Sequence, residues 1–304
     1  MALLHAHATE SGILEILDEV FLHGLLDTLK LVPFLFLTYL LMEFIEHKAA
    51  DRTRIFMEHA GVFGPAVGGA LGAVPQCGFS AAASNLYAGR VITLGTLIAI
   101  FLSTSDEMLP IFISGSIPIG TVLLVLLYKA GVGMVIGFAV DLLIRLFGKP
   151  REDINIDEIC DNDNCHCERG IFYSALHHTL TISLFVLLIT IALNALVYFV
   201  GTEAIGKIMY DKPFVSHLIA AIFGLIPNCA ASVVLTTLCT EGIITAGTMM
   251  AGLFSGAGAG LLVLFRVNKH VKENLIITGI LVIVGILFGM LGDVIFPQSM
   301  FLSI

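Results

Sequence analysis

The chain contains six long apolar stretches, and these restrict what it can fold into more than any other feature. A helix that crosses a bilayer needs about 20 apolar residues at a rise of about 1.5 Å per residue. The stretches that meet this length are residues 28–46, 91–113, 119–147, 171–200, 243–265 and 273–297. Charged residues make up only 13% of the chain, whereas a soluble domain carries about 25%. The sequence therefore predicts an all-α polytopic membrane protein in contact with the lipid bilayer.

An internal repeat runs through the chain at a constant offset of 152 residues. Residues 72–105 align without gaps with residues 224–257, and both segments carry a Pro-x-Cys motif followed by Ile-Thr-x-Gly-Thr. Internal duplication in an apolar chain is typical of secondary transporters. The repeat predicts a first transmembrane unit at residues 1–147, a linking loop at 148–170 and a second transmembrane unit at 171–304.

Each Pro-x-Cys motif is flanked by apolar segments that are too short to cross a bilayer. These segments are residues 61–75 and 79–89 in the first repeat, and 214–227 and 230–240 in the second. Ten separate spans would include spans of about 14 residues, well below the roughly 20 that a crossing requires. We therefore predict that each pair folds as a re-entrant hairpin, which enters and leaves the membrane on one side. Each repeat then has three spanning helices, one of them broken, and this odd number of crossings inverts the second repeat.

The distribution of basic residues predicts the orientation in the membrane. With re-entrant hairpins and an outer N-terminus, most of the 15 Lys and Arg residues fall on the inner side, as the positive-inside rule expects. These inner residues are Lys48, Arg52, Arg54, Arg90, Arg145, Lys149, Arg151, Arg169, Arg266, Lys269 and Lys272. Lys30 and Lys129 lie within predicted spans. Both termini are then expected outside, and the loop at 148–170 in the cytoplasm.

Four interruptions of regular backbone form the predicted binding site. Irregular backbone at membrane depth is tolerated where it lines a cavity or is buried in protein. The hairpin tips are residues 75–78 and 227–229, and the helix breaks are residues 103–106 and 255–260. Helix ends that converge at the midplane bind ions in many transporters. The predicted substrate-binding residues are Gln76, Cys77, Ser80, Ser103, Ser105, Asp106, Glu107, Asn228, Cys229 and Ser232.

Cysteine and acidic side chains indicate the chemistry of this site. Cys77 and Cys229 are predicted sulfur ligands of a soft metal, with the amide residues that precede them as polar partners. A single Cys is often only a buried apolar residue, but equivalent Cys residues in two repeats favour a ligand role. Asp106 and Glu107 are ionisable residues inside a predicted span, and such residues are costly unless they serve a function. We expect them to bind the metal cargo or a counter-moving proton.

The loop at 148–170 is strongly acidic and carries a second predicted metal site. Cys160, Cys165, His166 and Cys167 supply thiolate and imidazole groups, which suit a soft or borderline cation. Their spacing is not that of a structural zinc site, so we expect the loop to capture or sense cargo rather than to hold a metal permanently. A solvated acidic linker with incidental Cys residues is the alternative.

Two further patterns indicate structural roles. Asp141 and Asp293 occupy equivalent positions near the ends of two spans, and we predict that they cap helix ends. Coupling-ion binding is the alternative role for this pair. Gly64, Gly68 and Gly72 recur at four-residue spacing, which predicts close packing between helices.

Two segments of the first repeat carry a resemblance to a known family. They are Val-Pro-Gln-Cys-Gly-Phe-Ser at residues 74–80 and Phe-Leu-Ser-Thr-Ser-Asp-Glu-Met at residues 101–108. With the second Pro-x-Cys hairpin, they resemble the ten-span heavy-metal exporters, a family described as arsenic efflux proteins or manganese transporters. The resemblance extends over almost the whole chain. It implies an exporter of the bacterial or archaeal cytoplasmic (inner) membrane, in which each hairpin is counted as two spans.

The predicted function is secondary active export of a heavy metal or metalloid, with the cargo bound at the midplane between the two hairpin tips and the broken helices. One alternative is a manganese or other divalent-cation exporter on the same site, because hard ions prefer oxygen ligands. An alternative of another class is an organic-anion transporter with inert Cys residues, in which N–H groups at the tips bind a carboxylate.

Other classes of protein and partner are not expected. The net charge of −9 argues against a nucleic-acid partner. The sequence has no evident Ser/His/Asp set or His-Glu-x-x-His motif, which argues against an enzyme. No resident cofactor is expected. A proton or sodium ion as coupling ion and assembly into a homo-oligomer are both left open.

Overall fold

The regular secondary structure of the described residues is helical, and short turns join the helices. It is a computed structural model that describes residues 63–73, 77–104, 108–114, 117–147, 171–200, 213–227 and 229–301, with some positions between 22 and 40. In chain order its helices are α1 (Gly64–Gly72), α2 (Cys77–Ala88), α3 (Leu94–Ser103), α4 (Met108–Ser114), α5 (Ile119–Phe147), α6 (Ile171–Val200), α7 (Pro213–Gly224), α8 (Cys229–Thr240), α9 (Ala246–Ser255), α10 (Ala259–Val267) and α11 (Val271–Ile295). The all-α prediction is confirmed for these ranges.

Among the residues that the structure describes, three segments are long and apolar enough to cross a membrane. They are α5, the segment Ala246–Val267 that contains α9 and α10, and α11. These correspond to three of the six predicted spans. A fourth, residues 91–113, is divided between α3 and α4, and a fifth is α6, a helix of 30 residues. The predicted span at 28–46 lies largely outside the described residues.

The internal repeat is visible in the positions of the helices. α2 and α8 each have 12 residues, and their bounds differ by the repeat offset of 152. α3 and α9 each have 10 residues and are related by the same offset. α5 and α11 begin at equivalent positions, Ile119 and Val271. The sequence duplication is therefore also a duplication of secondary structure.

The same residues start and stop the equivalent helices. Thr93 precedes α3, and its side chain accepts a hydrogen bond from the backbone N–H of Thr96 at 3.1 Å. Thr245 precedes α9 and accepts from the N–H of Thr248 at the same distance. These N-caps satisfy donors that have no partner within the helix. Both helices end at the predicted breaks, α3 at Ser103 and α9 at Ser255.

α3 and α9 lie at the centre of the described structure. Every residue of Gly95–Ser103 and of Ala246–Ser255 is buried. α3 packs on α5 and α1, and α9 packs on α11 and α7 in the equivalent way. By contrast, α5 and α11 expose large apolar side chains such as Leu127 and Ile283 on one face. Exposed apolar faces around a buried centre are compatible with contact with lipid.

Close backbone contacts explain the glycines of the predicted packing pattern. A Cβ at Gly68 would lie 3.0 Å from the carbonyl oxygen of Thr96, and one at Gly72 would lie 2.7 Å from that of Ile100. The prediction that these residues pack closely against another helix is confirmed. The long helices use the same device, because a Cβ at Gly133 would lie 2.7 Å from the carbonyl oxygen of Ala99. Small residues let helices approach closely, as is common in membrane proteins.

The two repeats are interlocked rather than side by side. α2 of the first repeat packs against α10 of the second, and α4 of the first packs against α8 of the second. α3 and α9 also contact each other. The hairpin arm that follows each Pro-x-Cys motif therefore lies against the second half of the other repeat's broken helix.

Equivalent turns of the two repeats are bonded to opposite ends of α11. In the α2–α3 turn, Arg90 lies 3.3 Å from the carboxylate of Glu273, which is in the first turn of α11. At the other end, Gln298 follows α11 and donates to the carbonyl oxygens of Cys239 and Ile244, which flank the α8–α9 turn. α11 has 25 residues, so it is about 37 Å long at about 1.5 Å per residue.

Candidate functional site

Each hairpin tip ends in a cysteine that begins a helix. α1 ends at Gly72 and α2 begins at Cys77, while α7 ends at Gly224 and α8 begins at Cys229. The first turn of a helix has free backbone N–H groups and a partial positive charge. Cys77 and Cys229 therefore occupy equivalent positions, each as the first residue of its helix.

The helix before each Pro-x-Cys motif ends against a buried helix of its own repeat. In the first repeat, a Cβ at Gly72 of α1 would contact the hydroxyl of Ser103, the last residue of α3. In the second repeat, a Cβ at Gly224 of α7 would lie 2.6 Å from the hydroxyl of Ser255, the last residue of α9. Ser255 also donates to the carbonyl oxygen of Ala221 in α7 at 2.7 Å. In both repeats, therefore, two helix ends meet at a buried serine.

The helix after the first Pro-x-Cys motif lies against the break of the other repeat. Ser84 of α2 donates to the carbonyl oxygen of Gly260, in the first turn of α10, at 2.7 Å. One turn earlier in α2 is Ser80, whose Cβ would lie 2.7 Å from a Cβ at Gly260. α8 of the second repeat and α4 of the first also contact each other. We call this region, where the ends of α1, α3, α7 and α9 meet the starts of α2 and α10, the junction.

The helix ends at the junction carry opposite partial charges. α2 and α10 present N-terminal turns, whereas α3 and α9 present C-terminal carbonyl groups, whose partial charge is negative. Two carbonyls in these last turns accept side-chain bonds in addition to a backbone N–H: Ile100 from the hydroxyl of Thr104 at 2.7 Å, and Gly252 from that of Ser255 at 3.0 Å. Carbonyl ends of this kind coordinate cations, and N-terminal ends attract anions or thiolates.

The structure describes only some of the predicted site residues. Ser80 and Ser103 are buried at the junction. Ser232 lies in the first turn of α8, where its carbonyl oxygen accepts from Thr236. Cys77 and Cys229 are described by their backbone alone, as the first residues of their helices. The predicted residues outside the described ranges are Gln76, Ser105, Asp106, Glu107, Asn228, Cys160, Cys165, His166 and Cys167.

The predicted metal ligands therefore remain a prediction. Within the described ranges, no three His, Cys, Asp or Glu side chains lie close enough together to hold a metal ion. Most of the predicted ligands fall outside those ranges.

Lys129 is a charged residue at the junction that the predicted binding set omits. It lies in α5 and is fully buried. Its ammonium donates to the carbonyl oxygen of Leu253 in α9 at 2.8 Å and lies 5.4 Å from the ring centroid of Phe254. A lysine within a predicted span was the available sequence signal, since a charge in the membrane usually has a function.

Asp141 and Asp293 cap equivalent helices, as predicted from the repeat. Asp141 accepts from the backbone N–H of Gly95 in the first turn of α3 at 2.8 Å. Asp293 accepts from the N–H of Gly247 in the first turn of α9 at 2.7 Å. Carboxylates at helix N-termini are stabilising. The second repeat adds a partner that the first lacks, since the buried imidazole of His217 lies 3.0 Å from the Asp293 carboxylate.

A polar cluster surrounds the Arg90–Glu273 ion pair at the start of α11. Asn268 donates to Glu273 at 3.1 Å and to the side chain of Asn274 at 2.7 Å. The Arg90 guanidinium also lies 5.4 Å from the ring centroid of Tyr87. Burial acts to lower the pKa of Arg90, but the Glu273 carboxylate opposes this, and the pKa lies above its ordinary value. The Arg90 guanidinium therefore keeps its positive charge at every physiological pH.

Comparisons of this chain with models of known protein families, with curated proteins and with solved structures give no match. The assignment of function therefore depends on the residues of this chain and their placement.

Proposed function

We propose that this protein is a secondary active exporter of a heavy metal or metalloid. The observation that carries the proposal is the equivalent placement of Cys77 and Cys229, each the first residue of a helix at a hairpin tip. The helix that precedes each tip ends beside the end of a buried helix, as Gly72 does beside Ser103. Sulfur at two such tips suits a thiophilic ion better than a hard one.

The proposed architecture is a pair of inverted repeats, each with three spans and a re-entrant hairpin. Its support is the bonding of equivalent turns to opposite ends of α11, through Arg90 at one end and Gln298 at the other. A helix of about 37 Å crosses the hydrocarbon core, which is about 30 Å thick. Two equivalent turns at opposite ends of such a helix lie on opposite sides of the membrane, as inversion requires.

In this proposal the cargo binds at the junction, near mid-depth. The thiolates of Cys77 and Cys229 are the sulfur ligands, and the carbonyl ends of α3 and α9 add oxygen atoms and negative partial charge. Asp106 and Glu107 follow α3 in sequence and take the cargo or a counter-moving proton. The loop with Cys160, Cys165, His166 and Cys167 captures or senses metal on the cytoplasmic side.

The family resemblance supports the same proposal and the same location. Ser80 and Ser103, one from each of the two segments that resemble the ten-span heavy-metal exporters, are both buried at the junction. We accordingly assign the protein to a prokaryotic cytoplasmic membrane, with both termini outside. A manganese exporter would use the same junction with oxygen ligands in place of sulfur.

A metal-sensitivity panel tests the proposal. The chain is expressed in a cell that lacks its own exporters, and growth is measured in arsenite, cadmium, zinc and manganese. Cys77→Ser and Cys229→Ser should each lower the tolerated concentration of cadmium or arsenite by at least about tenfold, because one sulfur ligand is lost. Manganese tolerance should change least, and Asp106→Asn should reduce tolerance to every metal.

The matched control is Cys239→Ser, which removes a buried thiol at the far end of α8 from the tip. It should leave tolerance unchanged when the protein is present at wild-type level in the membrane. If both tip variants keep full tolerance to all four metals, sulfur ligation is wrong. The organic-anion transporter, with a carboxylate bound at the N-termini of α2 and α8, then becomes the better assignment.

A further inference from the structure

A buried cation lies at the end of α9, the first half of the broken helix in the second repeat. The Lys129 ammonium is fully buried and donates to the carbonyl of Leu253, in the last turn of α9. Carbonyl groups in the last turn of a helix have no partner within the helix and carry a partial negative charge. The lysine therefore satisfies an acceptor that a cationic cargo would otherwise attract.

Lys129 is also close to the first broken helix. Gly133, one turn further along α5, packs against Ala99 of α3, and its Cβ position is 3.4 Å from the backbone nitrogen of Ser103. Ser103 is the last residue of α3. The ammonium of Lys129 thus bonds the end of α9, and the next turn of α5 packs against the end of α3.

The second repeat has no such cation. The position equivalent to Lys129 in α11 is Leu281, which is also fully buried. The packing of the long helix against the broken helix is thus compatible with an aliphatic side chain at this position. A charge that the fold does not need, placed in the membrane interior, points to a function.

We propose that the Lys129 ammonium is a tethered cation, which balances the charge of the junction when no cargo is bound and is displaced when a cationic cargo enters. This inference rests on the proposed function and narrows it to cargo that is itself a cation. Arsenite, which is a neutral hydroxide at neutral pH, would not compete with the ammonium.

The tethered cation removes the energetic cost of an uncompensated negative charge in the empty carrier. A site that holds a cation is attractive because it is negative, and an uncompensated negative site is costly in a low-dielectric interior. With the ammonium in place, the junction keeps its charge balance after the cargo leaves, so the empty carrier can return. Without it, only the loaded carrier changes orientation at a useful rate.

Transport by the purified full chain in liposomes separates these two steps. Cadmium-for-cadmium exchange requires only the loaded carrier to reorient, whereas net cadmium transport also requires the empty carrier to return. Lys129→Met should keep exchange within about twofold of wild type and lower net transport by at least about tenfold, because only the empty step loses its charge balance. Lys129→Arg keeps the charge and should keep net transport within about threefold.

Leu281→Met at the equivalent position of α11 is the matched control and should change neither rate. If the Met variant does not fold, Lys129→Gln repeats the test with a neutral donor for the Leu253 carbonyl. Net transport at wild-type rate in a neutral variant would overturn the inference, and so would equal loss of exchange and net transport. If wild-type protein moves no metal in either assay, the proposed function itself fails, and the role of Lys129 fails with it.

Discussion

At the scale of single residues, the α2–α3 turn contains a strained backbone whose side chain forms an ion pair with another helix. Arg90 has a φ of 58°, in the left-handed region that residues with a side chain rarely adopt. Its equivalent in the second repeat is Gly242, with a φ of 77°. The turn geometry is thus common to both repeats, but only the first carries a side chain there, and that side chain bonds Glu273.

The strain at Arg90 predicts an ordering of two substitutions. Arg90→Ala loses the ion pair and keeps the strain, whereas Arg90→Gly loses the ion pair and relieves the strain. We expect the Gly variant to be more stable than the Ala variant by about 1 kcal/mol. Thermal unfolding of the purified protein in detergent measures the difference. Glu273→Gln, which weakens the pair without changing the turn, is the control, and an Ala variant as stable as the Gly variant would contradict the strain.

The sequence could predict single residues only where the repeat or the membrane made them conspicuous. Asp141 and Asp293 were predictable as caps, because a repeated carboxylate at a span end has few other uses. The bond of Arg90 to Glu273 joins positions 183 residues apart and depends on how the repeats interlock. The partner of Lys129 was hidden for the same reason, since Leu253 offers a backbone carbonyl that no side-chain pattern reveals.

At the scale of helices, the contact between α2 and α10 depends on the absence of one side chain. A Cβ at Gly260 would lie 2.8 Å from the carbonyl carbon of Ser80, within the distance at which something must shift. That contact holds the first hairpin against the second repeat. Gly279, in α11, has nothing within 4 Å of its Cβ position and so provides a matched comparison.

Gly260→Ala should destabilise the protein by about 1–3 kcal/mol, because a close-packed contact would be overfilled. Gly279→Ala should be neutral or stabilising by up to about 1 kcal/mol, since Ala favours the helix. Thermal unfolding in one detergent under identical conditions measures both. Equal stability of the two variants would mean that α2 and α10 are not held together at this point.

Helix positions were largely predictable, and helix contacts were not. Pro, Gly and short apolar runs marked the hairpin arms and breaks, and α2, α3, α8 and α9 follow these marks. Packing across the repeats could not be predicted, because the apolar faces of α2 and α10 look like any other buried surface. The same limit applies to the junction. The sequence predicted the helix ends that form it, but not which helix end lies against which.

At the scale of the whole molecule, the proposed inversion of the repeats has a direct consequence for labelling. Arg90 lies beside the start of α11, near Lys269. Glu241 lies in the α8–α9 turn, which is bonded to Gln298 just beyond the other end of α11. Equivalent turns of inverted repeats lie on opposite sides of a membrane. The sequence predicted this arrangement from segment lengths, but no sequence pattern shows which turn approaches which helix end.

Single cysteines at positions 90, 241 and 269 test the inversion in a chain from which the six native Cys residues have been removed. A membrane-impermeant thiol reagent should label position 241 from outside the cell. Positions 90 and 269 should react only after the membrane is opened, and position 269 serves as the inner reference. Labelling of 90 and 241 from the same side would rule out inverted repeats.

The departures from internal symmetry have an energetic meaning of their own. If the two halves of an inverted-repeat carrier were identical, its inward-open and outward-open forms would be related by a two-fold rotation and would have equal free energy. In this chain the two orientations differ in free energy, because at some positions one half has a polar residue and the other does not. Arg90 stands against Gly242, Lys129 against Leu281, and Gln298 against Leu146. For the carrier that we propose, the resting orientation, and thus the side from which cargo loads most readily, depends on mismatches such as these.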